Sequence, residues 1–531
     1  MIPQLVALLV LAGADSVPLI DGLGRYSRPI STSSPKAQRY FTQGLVLTYG
    51  FNHAEAIRAY QEGQRIDPSC GMCAWGEAFA LGPNINWPMD SAAEAQALAA
   101  VRRAQAARPG TPVERALIAA LAQRYGEPVG AERATRDSAY AMAMRAVAQR
   151  FPTDQDVQTL YADAMLNLRP WNQWQRDGSP QPGTLAVVAA LEKVIAINPN
   201  HPGACHLYIH AVEASRTPER AVPCAERLAA LVPAAGHLVH MPAHIYVRVG
   251  RYNDAVKANE HAVHVDEEYI ADRAPEGVYP TMYYPHNIHF LSYAASLAGQ
   301  SKLAIEAGDQ QAKKITEGEL QMAPPLELFA TVGDVMRVRF GKWDAILEQP
   351  LPPSARRFAT AIAWYARGRA LAGTGRMAEA RAALDTVRSI GNAAAPDWSQ
   401  GAGHSGKTLL GLAAKQLEAS IALADGKLDR AIRAYSEALV LEDGLRYDEP
   451  PPFPLPTREA LGAALLQAGR AAEAEAVYRR DLVNLPENGW ALYGLARSLE
   501  AQGKTAEAAR VDARFKRAWA KADVELKRSW F

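Results

Sequence analysis

Charge of one sign, long apolar runs and β-strand patterns are all in short supply in this sequence, and each shortage closes a door. Lys plus Arg total 57 against 56 Asp plus Glu, a formal net charge of +1, so the basic face expected of a nucleic-acid protein is missing. After the first residues, no stretch approaches the ~20 unbroken apolar residues of a transmembrane segment. Alternating strand patterns are nearly absent. No GxSxG elbow occurs, which removes support for α/β-hydrolase chemistry. A phosphate-loop string does occur, "GAGHSGKT" at 401–408. It follows "AAAPDWSQ", where the motif requires an apolar strand feeding a parallel sheet, so it reads as a loop capping the next helix.

Cysteine is equally scarce, with four residues in 531. The N-terminus, "MIPQLVALLVLAGADS", has an apolar run from Leu5 to Leu11 followed by Ala12-Gly13-Ala14. That order suggests a secretory signal peptide over residues 1–14, although no Lys or Arg precedes the run. An exported, periplasmic or secreted protein is the expectation, and an even cysteine count there points to disulfides. Cys205 and Cys224 flank the turn "SRTPE" (215–219), where they could bridge two antiparallel helices. Cys70 and Cys73 follow Asp67-Pro68 in the first turn of a helix. They read as a local disulfide, with a redox or metal-binding CxxC as the alternative. Ala74 stands where covalent haem attachment needs His.

What the chain does have is helical periodicity that repeats. "YFTQGLVLTYGFNHAEAIRAYQEGQRIDP" (40–68), "HIYVRVGRYNDAVKANEHAV" (244–263), "YARGRALAGTGRMAEARAAL" (365–384), "IALADGKLDRAIRAYSEALVLED" (421–443) and "LGAALLQAGRAAEAEAVYRRDLVNLP" (461–486) share one plan. Each is a helix, a short turn usually centred on Gly, and a second helix with Ala in register. Gly44, Gly368 and Gly462 fall where the first helix should touch its partner. Ala56, Ala255, Ala380, Ala431, Ala474 and Ala508 fall where the second touches back, because packed axes approach to ~8–10 Å.

These segments resemble the tetratricopeptide repeat (TPR) family over most of residues 36–520. The resemblance implies an all-α solenoid of ten or eleven helical hairpins in a right-handed superhelix. Its N-terminal hairpins (36–200) are degenerate, its central hairpins (201–300) rich in histidine, and its C-terminal repeats (301–531) regular. The basic, amphipathic end "RVDARFKRAWAKADVELKRSWF" reads as the solvated capping helix such arrays require. Insertions "GPNINWPMD" (82–90), "RPWNQWQRDGSPQPG" (169–183), "DRAPEGVYPTMYYP" (272–285) and "YDEPPPFPLP" (447–456) break the period. Their Pro, Gly and aromatic content suits ordered loops that cover one face. Trp75, Trp87, Trp171 and Trp174 lie near the N-terminal insertions and read mainly as hairpin core.

Ten of the twelve histidines lie between 201 and 289, where an even spread would put about two. His206 and His240 are one 34-residue period apart, as are His210 and His244. Each pair therefore occupies equal slots on the first helices of adjacent hairpins. Aligning the next hairpin by Gly299 and Ala304 puts His289 in the slot of His206 and His240, His286 in that of His237, and Tyr293 in that of His210 and His244. The resemblance implies that these slots face a concave groove that holds the ligand. An i, i+4 pair of imidazoles shares one helix face, so His206, His210, His240, His244 and His289 form a candidate site for one or two metal ions. His237, His286, Glu213 and Tyr293 are additional ligands or groups that orient the rings. Imidazole-rich, carboxylate-poor sites favour copper, zinc or iron over magnesium or calcium.

His53 and His404 read as satisfied polar residues, His261 and His264 as outward-facing on a second helix, and His201 as solvated at a helix start. The function expected is an exported TPR-type metalloprotein, in one form a metal-dependent oxidoreductase. The alternative is a metal-free TPR scaffold whose groove histidines bind a peptide, a protein or a small molecule. No nucleic-acid partner is expected.

Overall fold

A computed structural model describes residues 17–89, 91–107, 110–130, 132–275 and 277–531. The signal-peptide expectation for residues 1–14 lies outside them. Among the described residues no helix is long and apolar enough to cross a membrane. The chain divides into two compact units, Met1–Val157 and Gln158–Phe531.

Among its described residues the first unit has the helices α1 (Pro35–Tyr49), α2 (His53–Ile66), α3 (Gly71–Ala80), α4 (Ser91–Ala106), α5 (Pro112–Leu121) and α6 (Arg133–Arg150). α1 and α5 begin where side chains satisfy free N–H groups of the first turn. Ser34 accepts from the Ala37 N–H ahead of Pro35, and Thr111 and Glu114 form a reciprocal capping box. Cys70 and Cys73 are joined at the start of α3, and both are buried.

α7 (Gln155–Leu166) leads into the second unit. There α8 (Thr184–Ile197), α9 (Pro202–Val212), α10 (Val222–Leu231), α11 (Gly236–His240), α12 (Pro242–Arg248) and α13 (Tyr252–Arg273) follow. A π-helical turn, Tyr279–Tyr283, runs directly into α14 (Tyr284–Leu297). After it come α15 (Ser301–Lys314), α16 (Glu317–Met322), α17 (Val332–Arg339), α18 (Trp343–Glu348), α19 (Arg357–Gly373) and α20 (Met377–Asn392). The last six are α21 (Gly406–Ala424), α22 (Leu428–Asp443), α23 (Thr457–Gln467), α24 (Ala471–Asn484), α25 (Gly489–Ala501) and α26 (Thr505–Ala518).

Consecutive helices pack as antiparallel hairpins. Neighbouring hairpins meet through the second helix of one and the first of the next, as α20 does on α21, α22 on α23 and α24 on α25, with first helices also in contact where α19 meets α21 and α23 meets α25. The fold is therefore all-α and TPR-like. Among the described residues the one β-ladder is a two-residue antiparallel pair, Ser399–Gln400 with His404–Ser405. It closes the phosphate-loop look-alike, and Ser405 accepts from the Thr408 N–H to cap α21. That segment is a helix cap.

The small residues sit where the periodicity put them. A Cβ on Gly44 would lie 2.7 Å from the Tyr60 ring, and one on Gly462 would lie 2.3 Å from the Tyr478 ring. Ala56, Ala255, Ala380, Ala431 and Ala474 are fully buried. Turn glycine Gly250, with φ +79°, also leaves room for the Pro486 carbonyl, which a Cβ would approach to 2.4 Å.

One expectation fails in part at the C-terminus. The last segment is a solvated helix only in part: residues 510–518 belong to the largely exposed α26, which stops at Ala518, and residues 519–531 fold back over α19, α23, α24 and α25. Arg369 donates to the Phe531 carbonyl at 2.7 Å and lies over the Trp530 ring. Ser529 bonds Tyr478 at 2.5 Å, and Phe531 packs edge-on against Trp490. The apolar residues Leu526 and Trp530, both buried, outweigh the basic ones in deciding this path.

Candidate metal centre

All eleven residues of α9 are buried, which marks it as a central rather than an amphipathic helix. The His201 imidazole caps its start, accepting from the Ala204 N–H at 3.1 Å. His201 is fully buried, contrary to the solvated position expected for it, because the cap holds the ring inside. Cys205 is bonded to Cys224 and so ties α9 to α10. His206 and His210 then project one turn apart, with ring centroids 4.9 Å from each other.

α11 and α12 bring the second histidine set. His237 meets the His206 ring at 5.0 Å, and His240 and His244 lie 4.8 Å apart. α14 adds His286, 4.8 Å from His240. Two groups of ligand atoms result, His206/His210/His237 and His240/His244/His286, each with its atoms within 4.8 Å of one another. A third group, Glu213/His244/Glu449, meets the same limit. The rings of His210 and His244, 5.6 Å apart, join the two triads.

Hydrogen bonds at the outer nitrogens decide which way the inner ones face. The Glu213 carboxylate accepts from Nδ1 of His210 at 2.8 Å and from Nδ1 of His244 at 2.5 Å. Asn259 Nδ2 donates to the Ala255 carbonyl at 2.7 Å, which turns its Oδ1 toward His240 Nδ1 at 2.6 Å. His240 and His244 therefore carry their hydrogens on Nδ1 when neutral, and both Nε2 atoms present lone pairs. Those two atoms are 2.9 Å apart. Two lone pairs at that distance need a cation between them, either a proton or a metal. Ring nitrogens sharing a tetrahedral ion at ~2.0–2.1 Å would be about 3.4 Å apart, so small ring movements suffice.

Charge in the cluster follows from burial. Desolvation, then neighbouring imidazoles, hold His237, His240 and His286 well below the usual histidine range. Desolvation also lowers His210. Burial pushes Glu213 up, but His244 and the two hydrogen bonds outweigh it and hold the carboxyl at about 2. Burial lowers His244, yet the Glu213 charge more than reverses this and raises it. Mostly neutral imidazoles around one carboxylate are the protonation state a metal ion requires.

The insertions close over this cluster. Trp171, from 169–183, packs on His210 at 5.4 Å. Tyr283, from 272–285, packs on His237 at 4.8 Å. Glu449, from 447–456, brings its carboxyl to Glu213 and His244, and Tyr447 donates to its Oε1. Burial and the Glu213 charge raise Glu449 to about 8. Behind His237, the Tyr279 hydroxyl accepts from its backbone N–H at 3.1 Å and donates to Asp266 at 2.8 Å. Asn287 donates to the other Asp266 oxygen at 2.7 Å.

The sequence-derived set is thus gathered with two exceptions. His206, His210, His240, His244, His237, His286 and Glu213 meet, while His289 stands apart. Its ring packs on Phe329 at 5.5 Å, and burial alone lowers it to about 3. Neither ring nitrogen has a hydrogen-bond partner among the described residues. The face toward His240 and His244 belongs instead to His286 and to Phe290, whose ring is 4.7 Å from His244. The cause is a break in the preceding hairpin. At Met241-Pro242 the His244 N–H bonds the Met241 carbonyl, three residues back. Counting from the turn glycine therefore loses its phase across that point, and an error of one residue rotates a side chain by about 100°. Tyr293 packs on Phe290 and faces Glu449 rather than the triads. His404 bonds Asp448 at 2.9 Å, and His261 and His264 are exposed.

No family model matches the chain, and no curated protein matches it. Among solved structures, the human IFIT1 dimer with PPP-AAAA is 13% identical, with a TM-score of 0.34 and 92% of each chain covered. The Cut9–Hcn1 tetramer of the APC/C is 13% identical, with a TM-score of 0.32 and 91% of this chain and 76% of that one covered. Yeast Tom70 is 10% identical, with a TM-score of 0.29 and 91% of each chain covered. Likeness at this level carries no functional argument, and the fold rests on the helical hairpins described above.

Proposed function

We propose that this protein is a metalloprotein in which each imidazole triad holds a transition-metal ion (copper, zinc or iron), with Glu213 between them. The observation that carries this reading is the 2.9 Å approach of His240 Nε2 and His244 Nε2, whose outer nitrogens are already committed to Asn259 and Glu213. Three protein ligands per ion is the count of catalytic zinc sites, whereas structural sites use four. With copper or iron bound, the centre would be suited to a metal-dependent oxidoreductase. The bound ions would supply Lewis-acid and electron-transfer chemistry. The chain's own residues exclude water through Trp171 and Tyr283, fix ring orientation through Glu213 and Asn259, and hold His237 in place through Tyr279 and Asp266. The leader-like sequence at the N-terminus and the two disulfides support an exported compartment for this reading.

Two observations weigh against the peptide-scaffold alternative. The insertions cover the histidine cluster, and residues 519–531 already occupy the face of α19, α23 and α25. The test is metal analysis of untagged protein reconstituted with copper, zinc and iron in turn. Two ions per chain are expected, falling together in His206→Ala plus His240→Ala. A chain that takes up none of the three metals would refute the reading.

A further inference from the structure

We infer that the two metal positions are unequal: only the ion held by His240, His244 and His286 accepts an outside ligand, a small phenol whose hydroxyl is held by Glu449. The inference rests on the metalloprotein reading above and deepens it.

The first ground is access. His206, His210 and His237 are 0%, 3% and 1% exposed, and Trp171 and Tyr283 lie on their rings. Of the six triad histidines, His286 alone is half-buried. It sits in the first turn of α14, directly after the π-helical turn, a distortion that recurs at functional sites. A ligand coming from solvent therefore meets the second position first.

The second ground is an unanswered polar atom. Glu449 is only 6% exposed. Its Oε1 takes the Tyr447 hydroxyl, while its Oε2 has no hydrogen-bond partner among the described residues. A ligand atom of this carboxyl lies within 4.8 Å of those of Glu213 and His244. Buried carboxyl oxygens are normally satisfied, and a cation held by His240 and His244 favours the ionised form of Glu449, so Oε2 is then positioned for a group that arrives with its own hydrogen. The nearby acidic side chains, Glu213 and Glu449, disfavour an anionic ligand.

The third ground is the wall. Phe290 packs on His240 and His244 at 5.0 and 4.7 Å, and on His286 at 5.9 Å. The Tyr447 ring stands at Glu449. An aromatic ring bearing one hydroxyl matches aromatic walls with a single polar partner. The hydroxyl oxygen coordinates the ion through a lone pair while its hydrogen is shared with Oε2, and no bond is broken.

The experiment titrates full-length, copper(II)-loaded protein with phenol and with anisole, which lacks the hydroxyl hydrogen. Binding is read from the visible and EPR signals of copper(II). Phenol should shift the signals of one of the two ions, with anisole at least about tenfold weaker, the effect of one lost hydrogen bond to a carboxyl group. His286→Ala should remove one ion and the phenol response while the other ion stays. Glu449→Gln and Glu449→Leu should keep both ions and lose the preference for phenol over anisole, leucine more completely. The inference is overturned if both ions load yet phenol has no effect, if it shifts both ions equally, or if the response survives in His286→Ala. It is likewise overturned if His286→Ala releases both ions, or if both Glu449 variants keep the preference. Failure of wild-type protein to load metal would instead strike the underlying reading.

Discussion

Replacing His289 with leucine should make the metal-free protein more resistant to acid, by an amount the structure fixes. The His289 ring is buried, neither nitrogen has a partner among the described residues, and desolvation alone lowers it to about 3. In the unfolded chain it titrates near 6.5. Between these values the unfolded state binds a proton that the folded state does not, so stability falls as pH falls. At pH 5 the gap is about 1.5 pH units, worth roughly 2 kcal/mol, and at pH 7.5 it vanishes. Leucine has a similar volume and no proton to bind. Urea unfolding of chelator-treated wild-type and His289→Leu protein at both pH values gives the double difference. The histidines common to both proteins titrate alike and cancel. The variant should gain about 2 kcal/mol relative to wild type on going from pH 7.5 to pH 5. A double difference near zero, or of opposite sign, would refute the claim that this imidazole is buried and neutral.

Two further changes probe the centre and the scaffold. Asn259→Leu removes the bond that fixes the His240 tautomer. It should weaken metal binding about 10- to 100-fold in competition with a chelator, and unchanged affinity would mean that the ring is oriented by something else. Gly462→Ala drives a Cβ to 2.3 Å from the fully buried Tyr478 ring, which Ser529 also holds in place. A loss of about 1–3 kcal/mol is expected in thermal unfolding, and a variant as stable as wild type would show that the hairpin yields freely there.

Much of this architecture can be read from the chain because repeats confess their geometry through spacing. The small residues at Gly44 and Gly462 announced close helix contacts. The 34-residue intervals from His206 to His240 and from His210 to His244 announced neighbouring slots, and Glu213 announced a carboxylate on the same face. Spacing misleads where the helix is not regular. The break at Met241-Pro242 removed the phase needed to place His289 and gave its position to Phe290. Spacing is silent about loops. Trp171 and Glu449 reach the cluster from insertions whose paths depend on tertiary packing, and Asn259 lies on a second helix, the face assumed to look away. The acidic Asp448-Glu449 pair inside a proline-rich insertion was the one local hint.

The bridge between Cys205 and Cys224 also bears on the order of assembly. Cys205 is the immediate neighbour of His206, and an unpaired thiol there would offer a copper or zinc ion a softer ligand than any imidazole. Oxidation takes both sulfurs out of that competition and fastens α9 to α10. A chain that meets its metal before closing this bridge would be exposed to capture at the wrong atoms. If the triads hold metal as proposed, correct loading favours oxidation first and metal second, a sequence of events written into two adjacent residues.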